Sequence, residues 1–406
     1  MTTFHDSAQS HLDTLTGSLP RRGAWDAFTS LGLPTTADEV WRYAPLGEFD
    51  LERFTLAPRI EAPALTSLSQ ALAERAGLVV RIVDGYLSSI EGALEGVSVE
   101  AVESAWSGTY DSDAFALLNC ALAPATVVVS VAENVSVAAP IVIINSVTSG
   151  AVFPQVRISL GRSSRASVVD YVEGGVDALV VPLSEYVLAE NSSLQLSTYQ
   201  RLDQSAWHIA RSTGFLGRDA RLRQSVISIG GHYNRSRNDA EFLAPGAENE
   251  LRTTFLGSGD QVHDFRTRQF HHVGRTRSTL LSKGAVADNS RSVYTGLIEI
   301  DKGAKRTDAR QTNHNLLLSP HAHADSVPNL EIRENDVMCA HASSVGPLDE
   351  LQRWYLESRG VARSDAERLM IQGFFYEMLA TLPHDLADVV ERDLGEVLGQ
   401  VRIVTP

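Results

Sequence analysis

From Ala125 to about Ile332 the chain is a succession of short β-type runs separated by small polar turns, with no helical pattern longer than a few residues. Examples are 126–131, 141–144, 156–160, 167–172, 194–198, 222–229 and 297–300. A stretch this long that never turns helical must bury its runs against one another, so an all-β architecture is expected. The turns resemble each other: A-E-N-V-S-V at 132, G-R-S-S-R-A-S-V at 161, A-E-N-S-S-L-Q-L at 189, G-R-D-A-R-L at 217, P-G-A-E-N-E-L at 245 and G-R-T-R-S-T-L at 274. Aligning Val135, Ala166, Ser193, Ala220, Asn249 and Ser278 gives intervals of 31, 27, 27, 29 and 29 residues. A loose period with recurring small turn residues is the signature of a stacked β-solenoid, in which each coil buries its inner face only against its neighbours. A β-sandwich, which needs no fixed period, is the competing architecture.

The flanks are helical. Arg21–Leu31 places Trp25, Phe28 and Leu31 on one face before Gly32 and Pro34, and Thr36 with Glu39 reads as a capping box opening a second short helix. Trp41 and Tyr43 read as anchors onto the neighbouring domain. Leu65, Leu68 and Leu72 mark a further helix, 77–83 a strand followed by the Asp84-Gly85 turn, and Ala114–Ala121 a short apolar helix. After Val345, Leu348, Leu351 and Tyr355 suggest a helix stopped near Gly360. Ser364 and Glu367 form a capping box for a second helix through Leu369, Phe374, Met378 and Leu382, ended by Pro383, and a third follows. These helices are expected either to dock a partner or to seal the end of the solenoid.

Composition narrows the chemistry. Thirty-five basic against 50 acidic residues, a net charge of −15, oppose binding to nucleic acid or an anionic membrane surface. No apolar run is long enough to span a bilayer, and the first residues lack the plan of a signal peptide, so a cytoplasmic location is expected. With two cysteines, Cys120 and Cys339, a disulfide framework and a four-thiolate cluster held by this chain are excluded. P-loop, dinucleotide, H-E-x-x-H and G-x-S-x-G motifs are absent, so ATP hydrolysis is not expected of this chain.

Histidines gather as His263, His271 and His272, then His314, His321 and His323, then His341. His321 and His323 would face one side of a strand, but without carboxylates or thiols at fitting intervals they read as surface or turn residues. The arginines between Arg201 and Arg277 read as a salt-bridged outer face, with a polar internal channel as the alternative. Cys339 and His341 stand apart: two residues apart on an extended segment, they project on one face and can share one soft metal ion. Two ligands leave the coordination incomplete.

With those residues in view, the sequence resembles the SufB/SufD family of iron–sulfur cluster assembly scaffolds, nearer its SufD branch. The likeness is carried by G-L-P-T-T-A-D-E-V-W-R-Y-A-P-L near the start and by Q-T-N-H-N-L-L-L-S, P-N-L-E-I, D-V-M-C-A-H-A-S-S-V-G and Y-L-E-S-R-G-V. It covers nearly the whole chain. The shorter chain and the lack of extra cysteines favour SufD over SufB.

The resemblance implies a mainly β protein: a right-handed parallel β-helix core over 77–345, a helical N-terminal domain with linker over 1–76, and a C-terminal helical domain over 346–406 that docks the ATPase SufC. It implies a non-catalytic scaffold that pairs with a SufB-like subunit through the β-helix ends. There Cys339 and His341 would help hold a transient iron–sulfur cluster, the imidazole or the metal favouring the thiolate. Docking of SufC is implied for Tyr355, Arg359, Gly360, Gly373, Phe374 and Phe375. The resemblance allows reduced FAD in the assembled complex without assigning it to this chain, and a homodimer in isolation. The usual C-S-H-G-A-T-V-G is C-A-H-A-S-S-V-G here, so Ala340 and Ala342 put the local backbone in question. A β-helix carbohydrate-active enzyme, with paired carboxylates on adjacent coils, and a structural homo-oligomer are the alternatives.

Overall fold

The computed structural model describes residues 3–15, 18–103, 113–379, 382, 384–401 and 403. Forty-five per cent of the chain is strand, wound into a parallel β-solenoid of about 8 turns with helices at both ends of the sequence. Two sheets form its walls. One runs from the hairpin of Tyr86–Gly92 and Leu78–Val83 through Ile141–Val147, Arg165–Gly174, Ser193–Leu202, Arg221–Gly230, Glu248–Gly257, Arg277–Val286 and Thr307–Leu317 to Val337–Gly346. The other runs from Val97–Val102 to His323–Ile332. At the N-terminal end both sheets finish in short antiparallel strands. At the C-terminal end both finish in parallel ten-residue strands.

A left-handed residue recurs at one corner of each coil: Asn134, Ser163, Asn191, Asp219, Gly246, Arg275 and Arg306, with φ between 53° and 80°. Its backbone N–H donates to a carbonyl of the following coil, as from Asn191 to Arg218 at 2.8 Å and from Arg275 to Lys305 at 2.8 Å. Gly, Asn and Asp tolerate this conformation best, which is why the turn sequences look alike. The strand register differs from the turn alignment. Ala166 pairs with Leu194, Leu194 with Leu222, and Leu222 with Asn249, so Ser193 was one residue and Ala220 two residues out of register. A one-residue slip moves a side chain to the other face of the sheet. Bulk of the turn residues sets the corner, whereas inward alternation sets the register, and the two need not agree.

The interior changes character along the axis. The first coils are aliphatic, with Val80, Val127, Val129, Ile141, Ile143, Ile158 and Val168 all buried. Later coils carry Gln224, Asn249, Gln311, Asn313 and Asn315 inside. Asp170 lies within the interior, accepting from Asn145 Nδ2 at 2.6 Å, and burial raises its pKa to about 7. A carboxyl whose folded pKa lies above its unfolded value holds its proton more tightly in the fold. Stability is therefore lost as pH rises from about 4 towards 7. Asp170→Asn is expected to remove that pH dependence and to stabilise the protein at pH 8 by about 1–4 kcal/mol, readable as denaturant midpoints at pH 5 and 8.

Close packing has its own requirement at Gly284, whose neighbour in register is Phe255. A Cβ there would lie within the Phe255 ring, so Gly284→Ala is expected to cost about 1–3 kcal/mol by overpacking, measured by urea unfolding.

The helices lie along the outer faces of the sheets. α1 (Phe4–Thr14), α2 (Ser18–Leu31) and a later α4 (Ala114–Leu122) share one cluster with Trp41, Trp207 and Tyr233. Trp41 is the expected anchor, packed on Phe115 at 5.3 Å and under the Arg235 guanidinium at 3.7 Å. Phe28 is buried, but Leu31 is exposed. Thr36 does not cap a helix: Asp38 accepts from the Thr35 N–H at 2.7 Å and only a single 3-10 turn follows, Glu39–Trp41. α3 (Ser67–Ala73), capped by Thr66, joins α6 (Arg363–Leu379) and α7 (His384–Gln400) over the sheet that carries Tyr171, Tyr199 and Ile227. α5 (Glu350–Ser358) is capped by Asp349 and precedes Gly360 at φ +87°.

Ser364 lies inside α6, which starts at Arg363 instead; Glu367 is buried against Arg363 and Arg353. Pro383 lies outside the described residues. The C-terminal helices flank the solenoid and do not seal its end, so the sealing alternative is not the one adopted.

Candidate functional site

Register fixes which way the last strand points. Along the inner wall the column Ala166, Leu194, Leu222, Asn249, Ser278 and Ala309 ends at Cys339. The next inward column, Ile141, Val168, Leu196, Gln224, Leu251, Leu280 and Gln311, ends at His341. Every residue beneath them is buried. Cys339 and His341 therefore continue two core columns on a coil that no further coil covers. Cys339 is half-buried beside Ile298, Ile300, Ala309 and Leu330, and His341 is exposed.

The register across Val337–Gly346 is unbroken. Ala340 and Ala342, at alternate positions to Cys339 and His341, pair with Arg310 and Thr312 without a bulge, so the departure from C-S-H-G leaves the strand regular. Burial first, and the Asp308 charge second, push the Cys339 thiol up. Of the two aids to the thiolate that were expected, the imidazole and the metal, the imidazole is not among the causes of this shift.

Below this rim lies an unusual layer. Gln311, Asn313 and Asn315 occupy the inward positions of the penultimate coil. Both polar atoms of Gln311 and of Asn315, and Oδ1 of Asn313, are buried without a partner among the described residues. Asn313 Nδ2 donates to Ser326 Oγ at 3.0 Å and Ser343 Oγ meets the same hydroxyl at 2.8 Å, bridging the two walls. Buried polar groups left unpaired in a protein mark places that a water, ion or further chain completes. The motif Q-T-N-H-N already held this signal, since its alternate members cannot be ordinary core.

Among the described residues no group of three His, Cys, Asp or Glu is arranged to hold a metal. Cys339 and His341 are side chains of the soft and borderline types that suit iron or zinc, and two such groups do not complete a coordination shell. Cys120 adds nothing, being in α4 with its thiol pushed up to about 12, mainly by burial. The other histidines separate. His263 is sealed in the interior against Phe255, and burial lowers it to about 3. His271 is also internal, bonded to Thr276 at 2.7 Å and Ser278 at 2.9 Å. His272 is on the surface between Glu241 at 2.6 Å and Asp301 at 2.9 Å. His314 bonds Ser344 at 2.5 Å. His321 precedes the strand that His323 begins, so the two do not share a strand face.

The C-terminal helices carry the second group of candidates. Phe375 is buried in the cluster that binds α6 to the solenoid, so it anchors the helix and is not presented to a partner. Phe374 is half-buried with Lys283 5.0 Å above its ring, and Lys283 also holds Glu377 at 2.8 Å. Tyr355 is exposed, with Arg359 stacked over it at 5.3 Å, and Gly373 is exposed on α6. The larger exposed groups were not assigned to docking from sequence: Leu351 at 77%, Trp354 at 66%, and Leu369 and Tyr376 on α6 at 51% and 67%. Leu351, Trp354 and Tyr355 fall at i, i+3 and i+4, a spacing that ordinarily marks a buried stripe. On α6, Leu369, Gly373 and Tyr376 share a face by the same rule.

Among the described residues no helix is long and apolar enough to cross a membrane. Residues 142–374 match the family model described as SUF system FeS cluster assembly, SufBD core domain. The iron-sulfur cluster assembly protein SufD of Escherichia coli is 28% identical over 86% of this chain and 86% of its own length. SufD of Bacillus subtilis is 28% identical over 82% of this chain and 78% of its own. An iron-sulfur cluster assembly SufBD family protein of Mycobacterium tuberculosis is 30% identical over 88% and 86%. Match, solenoid and terminal Cys-x-His coil agree: this chain belongs to the SufBD family of iron–sulfur cluster assembly proteins.

Proposed function

We propose that this SufD-like chain is a non-catalytic scaffold, working in the cytoplasm, on which an iron–sulfur cluster is built in company with a SufB-like subunit and a SufC-like ATPase. The observation that carries the reading is the uncovered last coil, where Cys339 and His341 stand at the ends of two core columns. The strand that carries them ends its sheet, contains no proline and leaves its outer N–H and C=O groups for another strand. A SufB-like partner adding its own coil there covers the orphaned Gln311, Asn313 and Asn315 layer and brings the missing donors. Iron and sulfide are the cargo of such a site, held only until the cluster is passed on.

The ATPase docks, on this reading, against the exposed face formed by Leu351, Trp354 and Tyr355 of α5 with Leu369, Gly373 and Tyr376 of α6. α6 and α7 are tied to the solenoid by Lys283 and Glu377 and by Asp393, which meets Tyr199 and lies 3.3 Å from Arg201. Movement of the helices on ATP-driven dimerisation is thereby passed to the wall that ends in Cys339. Reduced FAD is assigned on this reading to the assembled complex and to no residue of this chain.

The carbohydrate-enzyme reading requires a carboxyl free to act as an acid. Asp113, the N-cap of α4, and Asp239, on the outer face of the solenoid, are both held by Arg211 and Arg237. Co-expression with SufB-type and SufC-type proteins tests the proposal. A three-component complex that accumulates iron and sulfide is expected; a homodimer that ignores both proteins and iron would refute it.

A further inference from the structure

The arginines between Arg201 and Arg277 do not line the interior. On the outer face that carries the N-terminal helices, register stacks Arg211, Arg237 and Arg266 in one column over three successive coils, with Arg235 and Arg268 in the columns beside it. Neighbouring coils are about 4.8 Å apart, so five guanidinium groups occupy one small patch of a chain whose net charge is −15. They line a cavity of about 510 Å³ together with Trp41, Tyr43 and Phe115 of the N-terminal elements and Leu297 and Val327 of later coils.

Three carboxylates serve these five cations closely. Asp113 lies 2.9 Å from Arg211 and 3.9 Å from Arg237. Asp239 lies 3.4 Å and 2.8 Å from the same two. Asp264 is taken by Arg235 at 2.5 Å and by the Tyr233 hydroxyl at 3.0 Å. Arg266 is left with the remainder. Its side chain is 9% exposed and its contacts run only from Nε to Asp264, at 3.2 and 3.5 Å. Its two terminal amino groups have no partner among the described residues. Arg268, two residues on and on the same face, stacks over the Phe270 ring at 4.2 Å, and its one carboxylate neighbour among the described residues, Glu299 at 4.0 Å, is nearer Arg333 at 2.9 Å. Burial opposes the charge on both Arg266 and Arg268.

We propose that this cavity binds a small organic phosphate, its anionic groups held by Arg266 and Arg268 and its organic part by Tyr43, Leu297 and Val327. Guanidinium groups pair with phosphate oxygens through two parallel N–H donors. Side chains two apart on one strand face stand about 6.6 Å from each other, which lets them grip adjoining phosphates from both sides. The cavity is of small-ligand size and far larger than an inorganic ion needs, and the apolar residues give an organic body a surface. Glu39 and Glu331 also line it, and their charge disfavours a long polyanion such as nucleic acid.

Isothermal titration of the full chain with ADP and with inorganic pyrophosphate tests the site. ADP is expected to bind, more tightly than pyrophosphate, and both are expected to weaken at least ~10-fold in Arg266→Met and in Arg268→Gln. Arg268, 38% exposed, can be changed without disturbing the packed interior. Arg223→Met, at a side chain 66% exposed outside the cavity, is expected to leave binding unchanged. No binding of either probe, or binding untouched by both variants, would overturn the site. Equal affinity for the two probes would overturn its assignment to an organic ligand.

Discussion

A His341→Ala chain, combined with SufB-type and SufC-type partners, is expected to assemble as the parent does and to hold at least ~10-fold less iron–sulfur cluster. The expectation follows from position. His341 is exposed and no hydrogen bond from the described residues ties it into the fold, so its loss leaves the wall beneath it intact. On the proposed reading it serves as a donor beyond the last coil. Cluster content is read from visible absorbance and bound iron and sulfide, and assembly from size-exclusion chromatography of the complex. Undiminished cluster in a normally assembled complex would remove His341 from the site. Cys339→Ser is expected to act in the same direction, and because burial and Asp308 raise the Cys339 thiol, loading through Cys339 should grow with pH until the metal itself displaces the proton.

The second large effect separates anchoring from docking on the same helix. Phe375 is 1% exposed within the cluster joining α6 to the solenoid, so Phe375→Ala is expected to cost about 3–5 kcal/mol and to loosen the C-terminal helices. Trp354 and Tyr376 are 66% and 67% exposed. Replacing both by Ala is expected to leave the denaturation midpoint within about 0.5 kcal/mol of the parent while abolishing capture of the SufC-type ATPase. Paired measurements of unfolding and of ATPase pull-down distinguish the two. ATPase binding that survives loss of Trp354 and Tyr376 would move the docking surface elsewhere.

The repeated turn sequences made the solenoid legible because the left-handed corner admits few residue types. They could not set the register: a corner such as Asn191 or Asp219 tolerates a change in the number of residues before the next inward side chain, as the Ser193 and Ala220 slips show. The Cys-x-His pair was legible from its spacing, but whether it faced core or solvent depended on the coils beneath, and those columns run through six or seven separate strands. Leu351 and Tyr355 were legible as one helix face and not as an exposed one, since periodicity reports which residues share a face and is silent on what covers it. Phe374 and Phe375 look equivalent in sequence; the turn of α6 buries one more deeply than the other.

The two ends of the solenoid are chemically unlike, and this bears on how many copies of such a fold can be joined. The first coils are finished by antiparallel strands of seven and six residues carrying exposed Glu91 and Glu100, a blunt and charged stop. The last coil alone offers long parallel strands. Two solenoids meeting through their last coils consume the available edges at once, and the outward ends present no template for a third. In such a pair growth into a filament would be arrested, and each Cys339 and His341 pair would be confined to a single junction.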